Sequence, residues 1–145
     1  MGAAEFRRPE SVLVVVYTRA LDCLLLKRLV PADFWQSVTG TLDWGETAAA
    51  AAAREVREET GLGPEGLQDS GSKQAFPILP AWRHRFAPDV TENVEHVWHL
   101  QLPERVSITL NPAEHSEYAW LALDDAIAKV SSWTNRRALV RLRPA

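Results

Sequence analysis

Three glutamates in the segment "REVREETGL" (54–62) have the spacing of neighbours on one helix face. If residues 47–60 are helical, Glu55, Glu58 and Glu59 stand at positions i, i+3 and i+4, and their carboxylates project together. Like charges at these spacings cost about 0.2–0.5 kcal/mol per pair, and the last turns of a helix favour cations over carboxylates. Because three carboxylates so close together are unfavourable at the end of a helix, we expect a bound divalent cation to compensate for their charge.

Nine positions around these glutamates fit the pattern G-x5-E-x7-R-E-U-x-E-E-x-G-U, where U is a bulky aliphatic residue. The nine are Gly40, Glu46, Arg54, Glu55, Val56, Glu58, Glu59, Gly61 and Leu62. Hydrolysis of a phosphoanhydride needs divalent cations that spread the charge of the phosphate oxygens, and a base that activates water. Carboxylates supply the hard oxygen ligands that Mg²⁺ prefers. The pattern therefore predicts metal-dependent phosphoanhydride chemistry.

The candidate catalytic residues of this pattern have different expected roles. Glu55 and Glu59 are the first-choice metal ligands, and Glu58 is either a third ligand or the base. Glu46 comes from the turn before the helix, and it either completes the cluster or organises the loop. Arg54 is expected to orient a glutamate. The alternative is a solvated acidic helix face, in which Arg54 and Glu58 form an i, i+4 ion pair.

The helix that must position these side chains is the most secure element of the sequence. Thr47 is a suitable N-cap residue, and Gly61 is a suitable residue to follow the last turn. We expect the bulky and small apolar residues of one face to pack against a sheet; these are Ala49, Ala52, Ala53 and Val56. The two glycines before the helix, Gly40 and Gly45, are expected to form a tight turn.

Alternating or continuous apolar runs predict the strands of that sheet. The predicted strands are 11–17, 23–29, 35–38, 94–102 and 118–123. The polar, glycine-rich residues 63–74 predict a loop, and three prolines interrupt the segment that follows it. The tail "SSWTNRRALVRL" (131–142) has the spacing of a short amphipathic helix.

Composition and net charge argue against a disordered chain, a membrane protein and a general nucleic-acid binder. With 145 residues, 46% hydrophobic and 24% charged, the chain fits one globular domain over residues 1–145. The formal net charge of −3 predicts no general attraction to nucleic acid. Cys23 is the only cysteine, so we expect it to be a buried apolar residue rather than part of a disulfide or zinc site. The longest apolar run near the N-terminus is too short to span a bilayer, and we expect a cytoplasmic protein without a membrane partner.

The nine-position pattern is that of the Nudix box, so the chain resembles the Nudix hydrolase family over residues 40–62. This resemblance implies an α+β fold in which a mixed β-sheet is sandwiched between α-helices. It also implies that the cofactor is Mg²⁺, with Mn²⁺ able to substitute, and that the substrate is a nucleoside diphosphate linked to a further group.

Segments outside the box resemble one group of that family, the dihydroneopterin triphosphate diphosphatases of bacterial folate synthesis. The segments are "RRPESVLVVVY", "DFWQSVTG", "RHRFAPDVTENVEHVW", "AEHSEYAWL" and "SWTNRRAL". The resemblance implies hydrolysis of 7,8-dihydroneopterin triphosphate to dihydroneopterin monophosphate and pyrophosphate. It implies that Glu114 is a further metal ligand, with Glu117 as its competitor, and that Arg7, Arg28 and Thr39 contact the substrate. Three further residues are candidate substrate contacts: Arg83 in a local basic cluster, His115 beside Glu114, and Ser132.

Simpler roles stay open for several of these residues. Arg7 and Arg28 could be surface charges, and the basic cluster at Arg83 could be a solvated loop. Three tryptophans could stack on a pterin ring, although core packing is the better expectation for each: Trp35, Trp82 and Trp98. His96, on the apolar side of its strand, is expected to be a core histidine.

Two rival functions remain. One is a Nudix hydrolase of nucleoside triphosphates, oxidised nucleotides or dinucleoside polyphosphates, and the other is a non-catalytic Nudix module that senses a nucleotide. The intact glutamate cluster favours an enzyme, because binding alone would not require it. The partner is in each case a small molecule, a pterin or a nucleoside triphosphate. Pterin and guanine rings present similar hydrogen-bonding edges, so the sequence does not decide between these two classes of substrate. The sequence also leaves the oligomeric state open.

Overall fold

A mixed β-sheet with α-helices against both faces forms the part of the chain that the structure describes, residues 6–144 of a computed structural model. The strands are β1 (Glu10–Thr18), β2 (Asp22–Arg28), β3 (Trp35–Gln36), β4 (Val38–Thr41), β5 (Leu67–Pro77), β6 (Glu92–Leu102) and β7 (His115–Ala122). The α-helices are α1 (Ala48–Thr60), α2 (Leu123–Lys129) and α3 (Trp133–Val140), and a 3₁₀-helix spans Pro80–Arg85.

Strand β1 lies at the centre of this architecture, and its alternating side chains contribute to two cores. Val12, Val14 and Val16 pack with the apolar face of α1, whereas Leu13 and Val15 pack with α2 and α3. Every residue from Val12 to Val16 is at most 1% exposed, which explains why the strand is a continuous apolar run. The expected α+β arrangement, a mixed sheet between helices, is confirmed.

The sheet opens on one side of β1. Strand β6 pairs with β1 in parallel along its whole length, from Glu10 to Thr18. On the other edge, β2 pairs with β1 only at Tyr17–Cys23, and β4 takes its place from Ser11 to Val14. Strands β3 and β7 pair with β2, whereas β4 pairs with β1, so these two groups of strands diverge from each other. The gap between them leaves room for the cavity described below.

Helix α1 has the predicted ends and a different buried face. The Thr47 hydroxyl accepts a hydrogen bond from the Ala50 N–H at 3.1 Å, and Gly61 adopts φ 76° immediately after the last turn. The buried residues are Ala51, Ala52, Glu55, Val56, Glu59 and Thr60. Ala49 is exposed, so its predicted packing is wrong. The helix is rotated so that two of its glutamates face inward with the apolar residues.

The loop predicted over 63–74 is wrong, because most of it belongs to β5. This strand lies at the edge of the sheet and pairs only with β6, with an irregularity between Asp69 and Ser72 where Gly71 adopts φ 75°. An edge strand exposes much of its surface, so it needs no apolar alternation. Its polar, glycine-containing sequence consequently resembles a loop.

Two other expectations require correction. His96 is not a core residue: its side chain is 25% exposed and its Nε2 lies 2.8 Å from the Glu10 carboxylate. The predicted strand 35–38 is divided between β3 and β4 at Ser37. By contrast, Cys23 is fully buried as expected, and burial raises the pKa of its thiol to about 12. None of the helices in residues 6–144 is long and apolar enough to cross a membrane.

Helix α3 is fixed to the sheet through Asn135. The side-chain oxygen of Asn135 accepts a hydrogen bond from the Ser37 backbone N–H at 2.7 Å, and its side-chain NH₂ donates to the Ser37 hydroxyl at 2.9 Å. Both residues are 1% exposed. Ser132 caps the helix by accepting from the Asn135 N–H at 3.2 Å. This connection holds the start of α3 beside the turn between β3 and β4.

We expect Asn135→Ala to lower the free energy of unfolding by about 1–3 kcal/mol, because the buried Ser37 N–H loses its acceptor. Arg137→Ala, on the exposed side of the same helix, should change it by less than about 0.5 kcal/mol. Urea denaturation of both variants measures the difference. Equal effects would show that the Ser37 contact does not anchor α3.

Candidate active site

A cavity of about 1080 Å³ lies where the sheet opens, and it brings together most of the site residues predicted from the sequence. Those that line it are Arg7, Arg28, Thr39, Arg54, Glu55, Glu58, Glu59, Glu114, His115 and Ser132. Residues far apart in the chain thus share one concave surface. The acidic side chains come from α1 and from the loop before β7, and the cavity is large enough for a small-molecule ligand.

Arg54 and Glu46 form the scaffold of the acidic side. The guanidinium of Arg54 donates to both carboxylate oxygens of Glu46, at 2.8 and 2.9 Å, and to the carbonyl oxygen of Thr41 at 3.1 Å. This pairing holds the pKa of Glu46 at about 2. Glu46 also accepts from the Asp43 N–H at 2.9 Å. Of the two roles considered for Glu46, these contacts favour organisation of the loop.

Arg54 also contacts Glu55, which packs tightly against Gly40. The guanidinium donates to Glu55 Oε1 at 2.8 Å, whereas its distance to Glu58 Oε2 is 3.5 Å. A Cβ atom added at Gly40 would lie 2.1 Å from the Glu55 Cδ. Gly40 belongs to β4 rather than to a turn, so it is required here for a close approach and not for a bend. The missing side chain leaves the space that the Glu55 carboxylate occupies.

Glu59 is the most deeply buried carboxylate of the cluster. It is 1% exposed, and its Oε2 has no hydrogen-bond partner in residues 6–144. Burial, and then the adjacent Glu55, raise the pKa of Glu59 well above its ordinary value. Burial also raises the pKa of Glu55. Two buried carboxylates side by side require a proton or a cation between them, which is the property of a metal site.

Glu114, in the loop before β7, and His115, the first residue of that strand, add two further candidate ligand atoms. One donor atom from each of Glu59, Glu114 and His115 lies within 4.8 Å of the other two. Burial and the nearby Arg28 lower the pKa of His115 to about 4, so the imidazole is neutral near pH 7, and its Nδ1 has no partner in the described residues. Glu117, the competitor of Glu114, instead forms an ion pair with Lys27 at 3.2 Å and lies outside the cavity.

Arginines provide the positive charge of the cavity. Arg7 and Arg28 both line the cavity, and burial and the charges of Arg85 and Arg28 lower the pKa of Arg7. The Arg7 N–H donates to the Arg85 carbonyl oxygen at 2.8 Å, and the Arg28 guanidinium lies 5.8 Å from the centre of the Phe34 ring. Arg83, predicted as a substrate contact, is exposed and does not line the cavity. The backbone of the 3₁₀-helix meets Arg7 at Arg85, not at Arg83.

The three tryptophans have different surroundings. Trp98 packs against the core beneath α1, and Trp35 packs against the core beneath α2 and α3, with the Lys129 ammonium 4.9 Å from its ring centre. Trp82 lines the cavity and is 38% exposed. Only Trp82 of these three therefore presents its ring to the cavity margin.

The inner wall contains residues that the sequence reasoning missed. Asn93 and Glu95 on β6, and Gln36 on β3, line the cavity although each is at most 7% exposed. A glutamate in the middle of a predicted strand is a detectable signal, because buried carboxylates are rare unless they have a partner. The sequence places Glu95 on the face of β6 opposite to His96, which is the side not predicted to be apolar.

Comparison with known proteins gives consistent matches over nearly the whole chain. The family model described as a NUDIX domain matches residues 7–142. The chain is 42% identical over 139 residues to the dihydroneopterin triphosphate diphosphatase of Escherichia coli (strain K12), covering 92% of this chain and 91% of that protein. It is 35% identical over 140 residues to the Haemophilus influenzae enzyme of the same name, covering 93% and 87%.

A solved structure agrees with these matches. The structure of the E. coli dihydroneopterin triphosphate pyrophosphohydrolase superposes with a TM-score of 0.86 at 41% identity, covering 94% of this chain and 96% of that one.

We expect Gly40→Ala to lower the affinity for Mn²⁺ by roughly tenfold or more, because the added Cβ displaces the Glu55 carboxylate. The fold should survive, since the clash is with the end of a flexible side chain. Titration calorimetry measures the affinity.

The matched control for this experiment is Gly63→Ala. Its Cβ would lie 2.2 Å from Glu65 Oε2, so it also displaces a carboxylate, but one outside the cavity. An equal loss of affinity in both variants, or none in Gly40→Ala, would contradict the role given to the Gly40–Glu55 contact.

Proposed function

The chain belongs to the Nudix family, and we propose that it is a Mg²⁺-dependent pyrophosphohydrolase that converts 7,8-dihydroneopterin triphosphate to dihydroneopterin monophosphate and pyrophosphate. The observation that carries this proposal is the meeting of buried carboxylates and clustered arginines in one cavity. A triphosphate needs both, because its charge must be neutralised before water can attack phosphorus. The relatives named above support the choice of pterin substrate.

The residues of the acidic side fit a divalent cation. Glu55, Glu59 and Glu114 offer hard oxygen atoms, and the unpartnered Glu59 Oε2 has the character of a ligand atom. We assign these three carboxylates to Mg²⁺, with Mn²⁺ able to substitute. When bound, the cation neutralises phosphate charge and favours ionisation of a nearby water.

The protein's own groups account for the remaining requirements. Arg7 and Arg28 bind phosphate oxygens, since guanidinium groups form charge-assisted hydrogen bonds with them. Glu58 is exposed and is held only at 3.5 Å by Arg54, so it is the glutamate freest to accept a proton from water. Arg54 acts as a positioning residue, because it holds the Glu55 carboxylate in place.

The reaction consumes one water. The phosphoanhydride bond between the α- and β-phosphates breaks, water adds its oxygen to one of the two phosphorus atoms, and its proton passes to the base. Thr39 and Ser132 line the cavity and are proposed as further substrate contacts. His115, neutral near pH 7, pairs with Arg28 across the β2–β7 ladder and is proposed to contact substrate or cation from that position.

The substrate assignment predicts that kcat/KM for dihydroneopterin triphosphate exceeds that for dGTP, 8-oxo-dGTP and diadenosine tetraphosphate. We expect the preference to be at least about tenfold, equivalent to about 1.4 kcal/mol of transition-state discrimination. Pyrophosphate release with purified enzyme and Mg²⁺ measures it for the triphosphates, and chromatography measures cleavage of the dinucleotide. A tenfold preference for one of the other three would transfer the assignment to that substrate. Absence of hydrolysis for all four, with Mg²⁺ still bound, would indicate a sensing module.

A further inference from the structure

A buried carboxyl group on the inner wall of the cavity has no role in the chemistry described so far. Glu95 is 5% exposed and lies on β6, away from the glutamates of α1. Its Oε1 accepts a hydrogen bond from the Gln74 amide at 3.1 Å, and the same amide donates to the Thr134 carbonyl oxygen at 2.9 Å. Glu95 nevertheless lines the cavity, so a bound molecule can reach it.

No cation compensates for this carboxyl group within residues 6–144. Burial raises the pKa of Glu95, and the opposing effects come only from hydrogen bonds with Gln74 and Thr134. A buried carboxyl group with so few donors is unfavourable unless further polar groups reach it. The cavity is the side from which such groups can come.

The surroundings of Glu95 favour a flat ligand whose edge carries hydrogen-bond donors. Asn93 lies two residues earlier on the same face of β6, and its amide donates to the Ser11 hydroxyl at 2.8 Å, which leaves its carbonyl oxygen as a second acceptor. Phe76 pairs with Asn93 across the β5–β6 ladder and also lines the cavity. The wall thus combines acceptor atoms with an aromatic surface.

We propose that Glu95 recognises the 2-amino-4-oxopyrimidine edge of the substrate ring, by accepting hydrogen bonds from its ring N–H and its 2-amino group. This inference rests on the proposed function and names the specificity-determining residue of the same cavity. Two adjacent donors match the two oxygens of one carboxylate, as in other bidentate pairs. A ring with an acceptor in place of the 2-amino group would face the carboxylate with like partial charge and would be rejected.

The arrangement divides the cavity by chemistry. The α1 glutamates hold the cation and the arginines bind the triphosphate, whereas β6 recognises the edge of the ring. Glu95 consequently contributes to substrate selection and has no part in breaking the phosphoanhydride bond.

The test compares neopterin with the corresponding lumazine, in which oxygen replaces the 2-amino group. Both rings are fluorescent, so titration without divalent metal measures binding independently of hydrolysis. We expect the wild-type protein to bind neopterin roughly tenfold or more tightly than the lumazine. In Glu95→Gln this ratio should fall to within about threefold of unity, because the carboxamide presents only one acceptor.

Kinetics provide the second measurement. Glu95→Gln should lower kcat/KM for dihydroneopterin triphosphate by roughly ten- to a hundredfold, mainly through a higher KM. The matched control is Glu92→Gln, an exposed glutamate of the same strand that does not line the cavity, and its kinetics should match those of wild type. Circular dichroism verifies that both variants are folded.

Each outcome decides the proposal. A wild-type preference for neopterin below threefold overturns it, whether or not Glu95→Gln folds, and so does a variant that keeps the wild-type preference. Hydrolysis of dihydroneopterin triphosphate without discrimination between the two rings would leave the proposed function intact and reject the role of Glu95. Discrimination between the two rings without hydrolysis would support the role of Glu95 and reject the proposed function.

Discussion

The burial of two adjacent carboxylates, Glu55 and Glu59, is the constraint on which the rest of the site depends. Neither can be ionised cheaply in this position without a counter-charge. Several features exist to accommodate them: helix α1 turns its glutamates inward, Gly40 leaves space for one carboxylate, and Arg54 holds that carboxylate from the side. In the proposed function, binding of a divalent cation recovers the stability lost through like-charge repulsion, which couples the fold to the function.

The same cavity contains opposite charges and distinct surfaces, although the chain as a whole carries a formal net charge of −3. Carboxylates of α1, arginines, and the hydrogen-bond acceptors of β6 all line the cavity. In the proposed function the carboxylates hold the cation and the arginines bind the phosphates. The diverging strands of the sheet allow these groups to meet, because β2 and β4 leave the same edge of β1 at different points. Topology and not local sequence therefore sets the separation of the α1 carboxylates from the cavity wall formed by β6.

The sequence predicted α1 and its glutamates well, because the spacing of the box, the Thr47 cap and Gly61 all act within a few residues of one another. Prediction failed where tertiary context decides. Strand β5 is polar because it lies at the edge of the sheet, and Glu95 is buried because α3 and β5 cover a position that was not predicted to be in the core. The contact between Arg7 and the chain at Arg85 depends on the path of a proline-containing 3₁₀-helix, which residue types near Arg83 do not specify.

The most direct test of the account is the unfolding free energy of wild type and Glu59→Gln at pH 8, with EDTA and with Mg²⁺ at equal ionic strength. A carboxyl group whose pKa is raised by folding loses stability as the pH rises, so the neutral variant should be more stable than wild type in EDTA, by about 1 kcal/mol or more. Mg²⁺ should stabilise wild type and have much less effect on the variant. Equal stabilisation of both proteins by Mg²⁺, or a less stable variant in EDTA, would contradict the claim that these buried carboxylates form a cation site.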